Sequence, residues 1–138
     1  MDNIKEATSK VVHKGERVVK SKVGGEVETA IDYCERVYPE TTSEFNRILD
    51  EMYDTFCQKQ RNYGPDNISV GTQLATESDI KLSLTGLWFR KSDKINRLKQ
   101  MVVFNQPDEV GETIEDTYQD LAVYSVISQI VNRKKWAK

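Results

Sequence analysis

Residues 110–130 read VGETIEDTYQDLAVYSVISQI, and the reading of this stretch decides the fold. Its first half carries four carboxylates, Glu112, Glu115, Asp116 and Asp120, and its second half is almost wholly apolar. A helix turns by about 100° per residue, so Glu112, Asp116 and Asp120 climb one arc in steps of about 40°, with Glu115 about 60° to the other side. Ile114 and Leu121 fall on the opposite face, at about 180–200° from Glu112. Acids in a first helical turn are favoured by the helix dipole and need no further reason. Asp120 lies well beyond that turn, and like charges four residues apart repel unless a cation stands between them. The same arc continues as Val123, Ile127 and Ile130, so it is expected to be covered. Covered carboxylates require a metal ion or a basic partner, because burying them unpaired is costly.

Working outward, this final helix is expected over 108–132, and similar patterns precede it. Val27, Ala30, Ile31, Cys34, Val37 and Tyr38 recur at spacings of three and four, a buried helical stripe that Pro39 ends. Thr41 and Glu44 have the spacing of a capping box. The helix they open would turn Phe45, Leu49, Met52, Tyr53, Phe56 and Gln60 inward and stop at Tyr63-Gly64-Pro65. Residues 66–79 are turn-rich, with a short helical piece expected over 70–75. A third long helix is expected from Asp79, with Leu84, Leu87, Trp88, Ile95, Leu98 and Val102 inward, until Asn105, Gln106 and Pro107 break it. No segment sustains strand alternation, and no repeat appears. The fold class expected is all-α: a small helical bundle of four main helices, one domain over 26–138, behind a basic amphipathic arm over 1–25 that ends at Gly24-Gly25. That arm would either dock on the body or stay loose until it meets a partner.

The 138 residues are enough for a hydrophobic core without staples. A net charge of −2 argues against a dedicated nucleic-acid binder. Cys34 and Cys57 sit in apolar helical patterns, which is the placement of reduced core thiols. No apolar run has membrane-spanning length and the first residues do not form a signal peptide, so a cytoplasmic location is expected. The single histidine, His13, lies in the basic arm and neither cysteine has a histidine in helical register, which argues against a zinc site or a Cys–His nucleophile. Phosphate-cradling glycine loops are absent.

The cation that the acidic arc calls for has two sources. In RKSDKINRL (residues 90–98), Arg90, Asp93 and Arg97 share one face, roughly opposite the apolar stripe of that helix. A surface ion-pair ladder would look the same and would be worth little. The functional alternative sets Asp93 across from the acids of the last helix with Mg²⁺ between them, while Arg90, Lys94 and Arg97 grip phosphate oxygens. In KQRNYG (residues 59–64), Lys59 would add charge, Tyr63 would stack on a base and Asn62 would hydrogen-bond it.

These two segments, followed by ETIEDTYQDLAVYSVI (residues 112–127), resemble the phage and bacterial family called nucleotide modification associated domain, type one, over roughly residues 45–130. Its pattern is a lysine-rich helix ending in Tyr-Gly, an Arg–Asp-Lys–Arg-Leu helix, and then Glu–Asp–Asp-Leu–Tyr, which brings in Tyr124. More distantly the layout is similar to the all-α nucleoside triphosphate pyrophosphatases of MazG-like and dimeric dUTPase-like type. Those hold Mg²⁺ with Glu-x-x-Glu on one helix and Glu-x-x-Asp on the next. Glu112 and Glu115 supply the first motif here, but Asn96 stands three residues after Asp93 and Gln119 three after Asp116, where the second would need an acid.

The resemblance implies a phage-encoded protein of the host cytoplasm that binds a nucleotide or related phosphate-bearing small molecule. It would hydrolyse a nucleoside triphosphate to monophosphate and pyrophosphate with Mg²⁺. Glu112, Asp116 and Asp120 would be catalytic. Asp93 and Glu115 would join them as metal ligands, and Lys59, Asn62, Tyr63, Arg90, Lys94, Arg97 and Tyr124 would bind the ligand. A homo-oligomer is expected, since such bundles often complete a site across an interface. Two rivals stand beside this reading: a non-catalytic binder of a nucleotide or signalling nucleotide, and a protein-binding regulator that docks through the basic arm.

Overall fold

The computed structural model describes residues 21–23 and 26–138. In chain order they form β1 (Ser21–Val23), β2 (Glu26–Glu28), α1 (Ala30–Val37), α2 (Pro39–Tyr63), α3 (Asp66–Ser69), α4 (Glu77–Leu98), a π-helical turn at Lys99–Val103, and α5 (Ile114–Asn132). The all-α class is met, with one short hairpin added. Apart from 21–23, the basic arm and its His13 lie outside the described residues. The chain separates into two compact units, Met1–Ile48 and Leu49–Lys138, with the division inside α2.

In the first unit, β1 and β2 pair antiparallel, Lys22 opposite Val27. The Thr29 hydroxyl caps α1 by accepting from the Asp32 N–H at 3.1 Å, and Arg36 holds the Glu28 carboxylate through two bonds of 2.8 and 3.1 Å. The stripe expected to be buried here is not: α1 has no buried residue, and Ile31, Tyr33, Val37 and Tyr38 are exposed. The capping box expected at Thr41 and Glu44 also falls inside a helix. Proline opens α2 at Pro39, where its missing N–H costs nothing, and Glu44 pairs with Arg47 one turn on. Cys34 is half-buried and Cys57, in the second unit, is exposed; both are free, so neither is the core thiol that its pattern suggested.

The second unit contains the core. Ile68, Leu74, Ile80, Leu87, Ile127, Val131 and Trp136 are buried, with Phe56, Leu84, Val123, Tyr124 and Ile130 packed on them. Each fully buried aliphatic side chain of this kind contributes about 1.5–3 kcal/mol. Gly64, at φ +69°, ends α2 in the left-handed conformation that glycine adopts without penalty. The helical piece expected over 70–75 lies earlier, at α3, because Val70 itself turns left-handed (φ 55°) and stops the helix. Two bonds pin this connection. The Ser83 hydroxyl of α4 donates to the Ile68 carbonyl at 2.6 Å, and the Trp136 indole N–H donates to the Pro65 carbonyl at 3.1 Å. Thr76 caps α4 by accepting from the Asp79 N–H at 3.1 Å.

Two expectations about the long helices are corrected. The inward face of α4 is Ile80, Ser83 and Leu87, while Trp88, Ile95 and Val102 are exposed. Along its second half Arg90, Lys94 and Arg97 lie toward α5, where they find anionic and carbonyl partners. That pairing is why a basic face can lie inward. The last helix begins at Ile114 rather than near residue 108. Thr113 is its cap, and the Thr113 hydroxyl and Asp116 carboxylate satisfy each other's backbone N–H groups at 3.1 and 3.3 Å. Glu112 therefore precedes the helix, in the connection that follows Phe104.

Candidate functional site

The site is built where the second half of α4 meets the start of α5. Lys94 is its hub. Its ammonium lies 2.7 Å from Glu112 Oε1 and 3.0 Å from Asp120 Oδ2, with about a fifth of each side chain's surface exposed on Lys94 and Asp120. Lys59 reaches the other oxygen of Asp120 at 3.2 Å from α2. Burial opposes the charge on Lys94, but the bonds to Glu112 and Asp120 outweigh it and hold its pKa above the ordinary lysine value.

One turn on, Arg97 locks the connection that precedes α5. Its Nε donates to the Thr117 hydroxyl at 3.0 Å, and its Nη2 donates to Asp108 Oδ1 at 3.0 Å and also to the Glu112 carbonyl. Thr117 is fully buried and passes its own hydroxyl hydrogen to the Thr113 carbonyl at 3.3 Å. The guanidinium, helped by the Val110 N–H, holds the Asp108 carboxyl below the usual carboxylate range. Of the acids of the opening stretch, Glu112 and Asp120 are thus paired with internal cations, while Asp116 serves the helix cap.

Two cavities flank the Lys94–Asp120 bridge, and Arg90 and Tyr124 line both. The more polar one, about 340 Å³, also has Asp93, Lys94, Arg97 and Glu112 in its wall. The other, likewise about 340 Å³, has an apolar floor of Phe56, Ile68, Val123 and Ile127 and a polar rim that includes Lys59, Gln60, Asn67 and Asp120, with Tyr63 beside them. Arg90 is fixed at their junction: it donates to the Asn67 carbonyl at 2.7 Å and lies 5.8 Å from the Tyr124 ring centre, in cation–π range.

Of the residues singled out from sequence, Lys59, Tyr63, Arg90, Asp120 and Tyr124 meet at the apolar cavity, and Asp93, Lys94, Arg97 and Glu112 at the polar one. Asn62, Glu115 and Asp116 line neither; Asp116 is committed to the α5 cap. Sequence reasoning missed Asn67, Gln119 and Thr117, and took Phe56, Val123 and Ile127 only as packing residues. The floor residues did carry a signal, since Val123 and Ile127 continue the acidic arc. Asn67 carried none, because it acts through a carbonyl that any residue would supply.

Among the described residues no group of three or more Asp, Glu, His or Cys side chains is placed to hold a metal ion. The two carboxylates that do converge, Glu112 and Asp120, share Lys94 instead. In this arrangement a divalent ion does not fit unless Lys94 leaves. Compared with known proteins, the chain matches no family model, no curated protein and no solved structure.

Proposed function

We propose that the chain binds a nucleotide or related ring-bearing phosphate compound in the cavity between α2, α4 and α5, as a binding protein that needs no metal. One observation carries this reading: an apolar floor sized for a ring lies beside two cations, Lys59 and Arg90, and two tyrosines. Cavities of this kind bind ligands through apolar contact and take specificity from a few placed polar groups. Val123, Ile127 and Phe56 would receive the ring, and Tyr124 would stack against it. Arg90, held by the Asn67 carbonyl, would present its remaining N–H groups to an anionic oxygen, and Lys59 would add a second positive charge. Gln60 offers an amide group for the ring edge. The setting proposed for this activity is phage or bacterial nucleotide handling in the cytoplasm.

Hydrolysis of a nucleoside triphosphate is the second reading. The convergence of Glu112 and Asp120 on one cation favours it, since such a pair is what a bridging divalent ion would use once Lys94 had moved aside. A panel of nucleoside mono-, di- and triphosphates and cyclic nucleotides, titrated with and without Mg²⁺ while pyrophosphate and monophosphate release is followed, separates the two. Saturable binding in chelator without turnover supports the binder. Turnover that chelator abolishes replaces it with the hydrolase, and no binding of any compound removes both.

A further inference from the structure

The outer face of α4, continued by the turn at Lys99–Val103, carries large apolar side chains that are largely exposed. Trp88 and Phe89, stacked edge-on with ring centres 5.2 Å apart, are each 59% exposed, and Leu82, Ile95, Val102 and Val103 are exposed with them. The uncovered parts of these six side chains amount to roughly 600 Å², at the upper end for an ordinary monomer; Trp88 and Ile95 share one line along the helix, with Phe89 and Leu82 about 100–120° round from Trp88. This face lies away from Arg90, Lys94 and Arg97, so the inference below does not depend on the ligand reading.

The pattern of this face specifies its partner. Glu77, Lys81, Leu84, Trp88, Ser92, Ile95 and Lys99 follow one another at spacings of four, three, four, four, three and four. At about 100° per residue all seven fall within about 40° of Trp88, a narrow seam of the kind by which two helices pack side by side. The seam is also symmetric about its centre in a chemical sense. Reversing it around Trp88 sets Glu77 opposite Lys99, Lys81 opposite Ile95, and Leu84 opposite Ser92. A two-fold axis through Trp88 therefore pairs an acid with a cation at both ends and lays the lysine stem along an isoleucine. A parallel arrangement would instead set Glu77 against Glu77 and Lys99 against Lys99.

We propose that α4 docks antiparallel on α4 of a second copy of this chain, with Trp88 of both copies at the two-fold axis and Glu77–Lys99 pairs at the two ends. Such an isologous contact closes on itself and needs no third molecule. The cavities beside Arg90 then open on the two outer sides of the dimer, away from the shared seam.

Sedimentation equilibrium of the full chain over roughly 1 to 100 µM tests this, a range that spans ordinary dimer affinities. Expected is a dimer that Trp88→Ser weakens by at least about tenfold, an effect of the size seen when an aromatic anchor is removed. Glu77→Lys and Lys99→Glu are each expected to weaken it, and the two together to restore it, because only the antiparallel register joins those positions. The Trp88 emission is expected to become less accessible to acrylamide as the dimer forms, while buried Trp136 reports that the variants are folded. A monomer throughout the range, a dimer indifferent to Trp88→Ser, or a double charge reversal that fails to restore it would each overturn the proposal. The charge variants lie on an exposed face, so the test stands even if Trp88→Ser fails to fold.

Discussion

The Lys94 ammonium lies 3.0 Å from the Asp120 carboxylate, joining the second half of α4 to the second turn of α5. Glu112 meets the same ammonium and Lys59 the same carboxylate, so two carboxylates that would otherwise repel share Lys94 between them. The ion cluster thereby fixes the wall between the two cavities.

Replacing the hub with an uncharged chain of similar length, Lys94→Met, leaves Glu112 and Asp120 facing each other without their shared cation. Asp120 is about four-fifths covered and Glu112 about two-thirds, so the cost falls between that of a surface pair and a buried one, about 1–3 kcal/mol. Urea denaturation measures it. Millimolar Mg²⁺ is expected to recover part of the loss in the variant while leaving the original chain unchanged, because removal of Lys94 vacates the position between the two carboxylates.

Thr117→Val keeps the volume of a fully buried side chain but removes the hydroxyl that accepts from Arg97 Nε. An unsatisfied donor of this kind costs about 1–3 kcal/mol. Thr117→Ser retains the acceptor and is expected to cost less than Thr117→Val. A larger loss in Thr117→Ser than in Thr117→Val would show that the methyl packing, and not the hydrogen bond, matters at this position.

The Asp108–Arg97 bond gives a pH signature. The folded carboxyl titrates below its unfolded value, so its contribution is fully present above the ordinary carboxylate range. It disappears as pH falls through the lower folded value. Asp108→Asn lacks this linkage, and its stability curve is expected to fall less steeply with acid than that of the original chain. Urea midpoints measured from neutral pH down to about pH 3, across the range where carboxylates titrate, compare the two. Parallel curves would contradict the linkage. Lys94 acts at the opposite end: with its pKa raised, its contribution is present below the ordinary lysine range and is lost only as pH rises above it.

Trp136→Phe removes the indole N–H that donates to the Pro65 carbonyl while retaining an aromatic ring against Phe56, whose centre lies 6.2 Å away. A loss of about 1–2 kcal/mol is expected, one buried hydrogen bond and part of an aromatic contact. Hydrogen exchange of the 64–76 connection is expected to quicken more than that of α5. Uniform quickening would mean that the bond serves global stability alone.

Much of this architecture was legible in the residues. The helical class, the end of α2 at Gly64, the start of α4 near Asp79 and the covered arc of Val123 and Ile127 follow from periodicity and from residues that stop helices. What escaped was direction. Ile95 and Val102 read as core because they are apolar, and the charged face of Arg90 and Arg97 as either a surface ion-pair ladder or a phosphate grip. Tertiary pairing decided both, since cations that meet the Asp108, Glu112 and Asp120 carboxylates and the Asn67 and Glu112 carbonyls can face inward. The α5 cap escaped for a related reason: Thr113 and Asp116 form a capping box with Asp in the place where Glu is usual, while Thr41 and Glu44 show the usual letters inside a helix that proline had already begun. The ligand cavity was legible only in part, through Lys59, Tyr63, Arg90 and Tyr124, because a cavity depends on how helices are spaced and not on any one of them.

The most direct test of the binding site is calorimetric titration of the nucleotide panel into the full chain in the presence of chelator, repeated on Arg90→Gln and on Val123→Phe, which fills the apolar floor. Expected is saturable binding of at least one compound, weakened about tenfold or more by Arg90→Gln, the scale of a lost charge-assisted hydrogen bond, and abolished by Val123→Phe without loss of fold. Binding that is indifferent to both substitutions, or no binding of any compound, would contradict the assignment of this cavity.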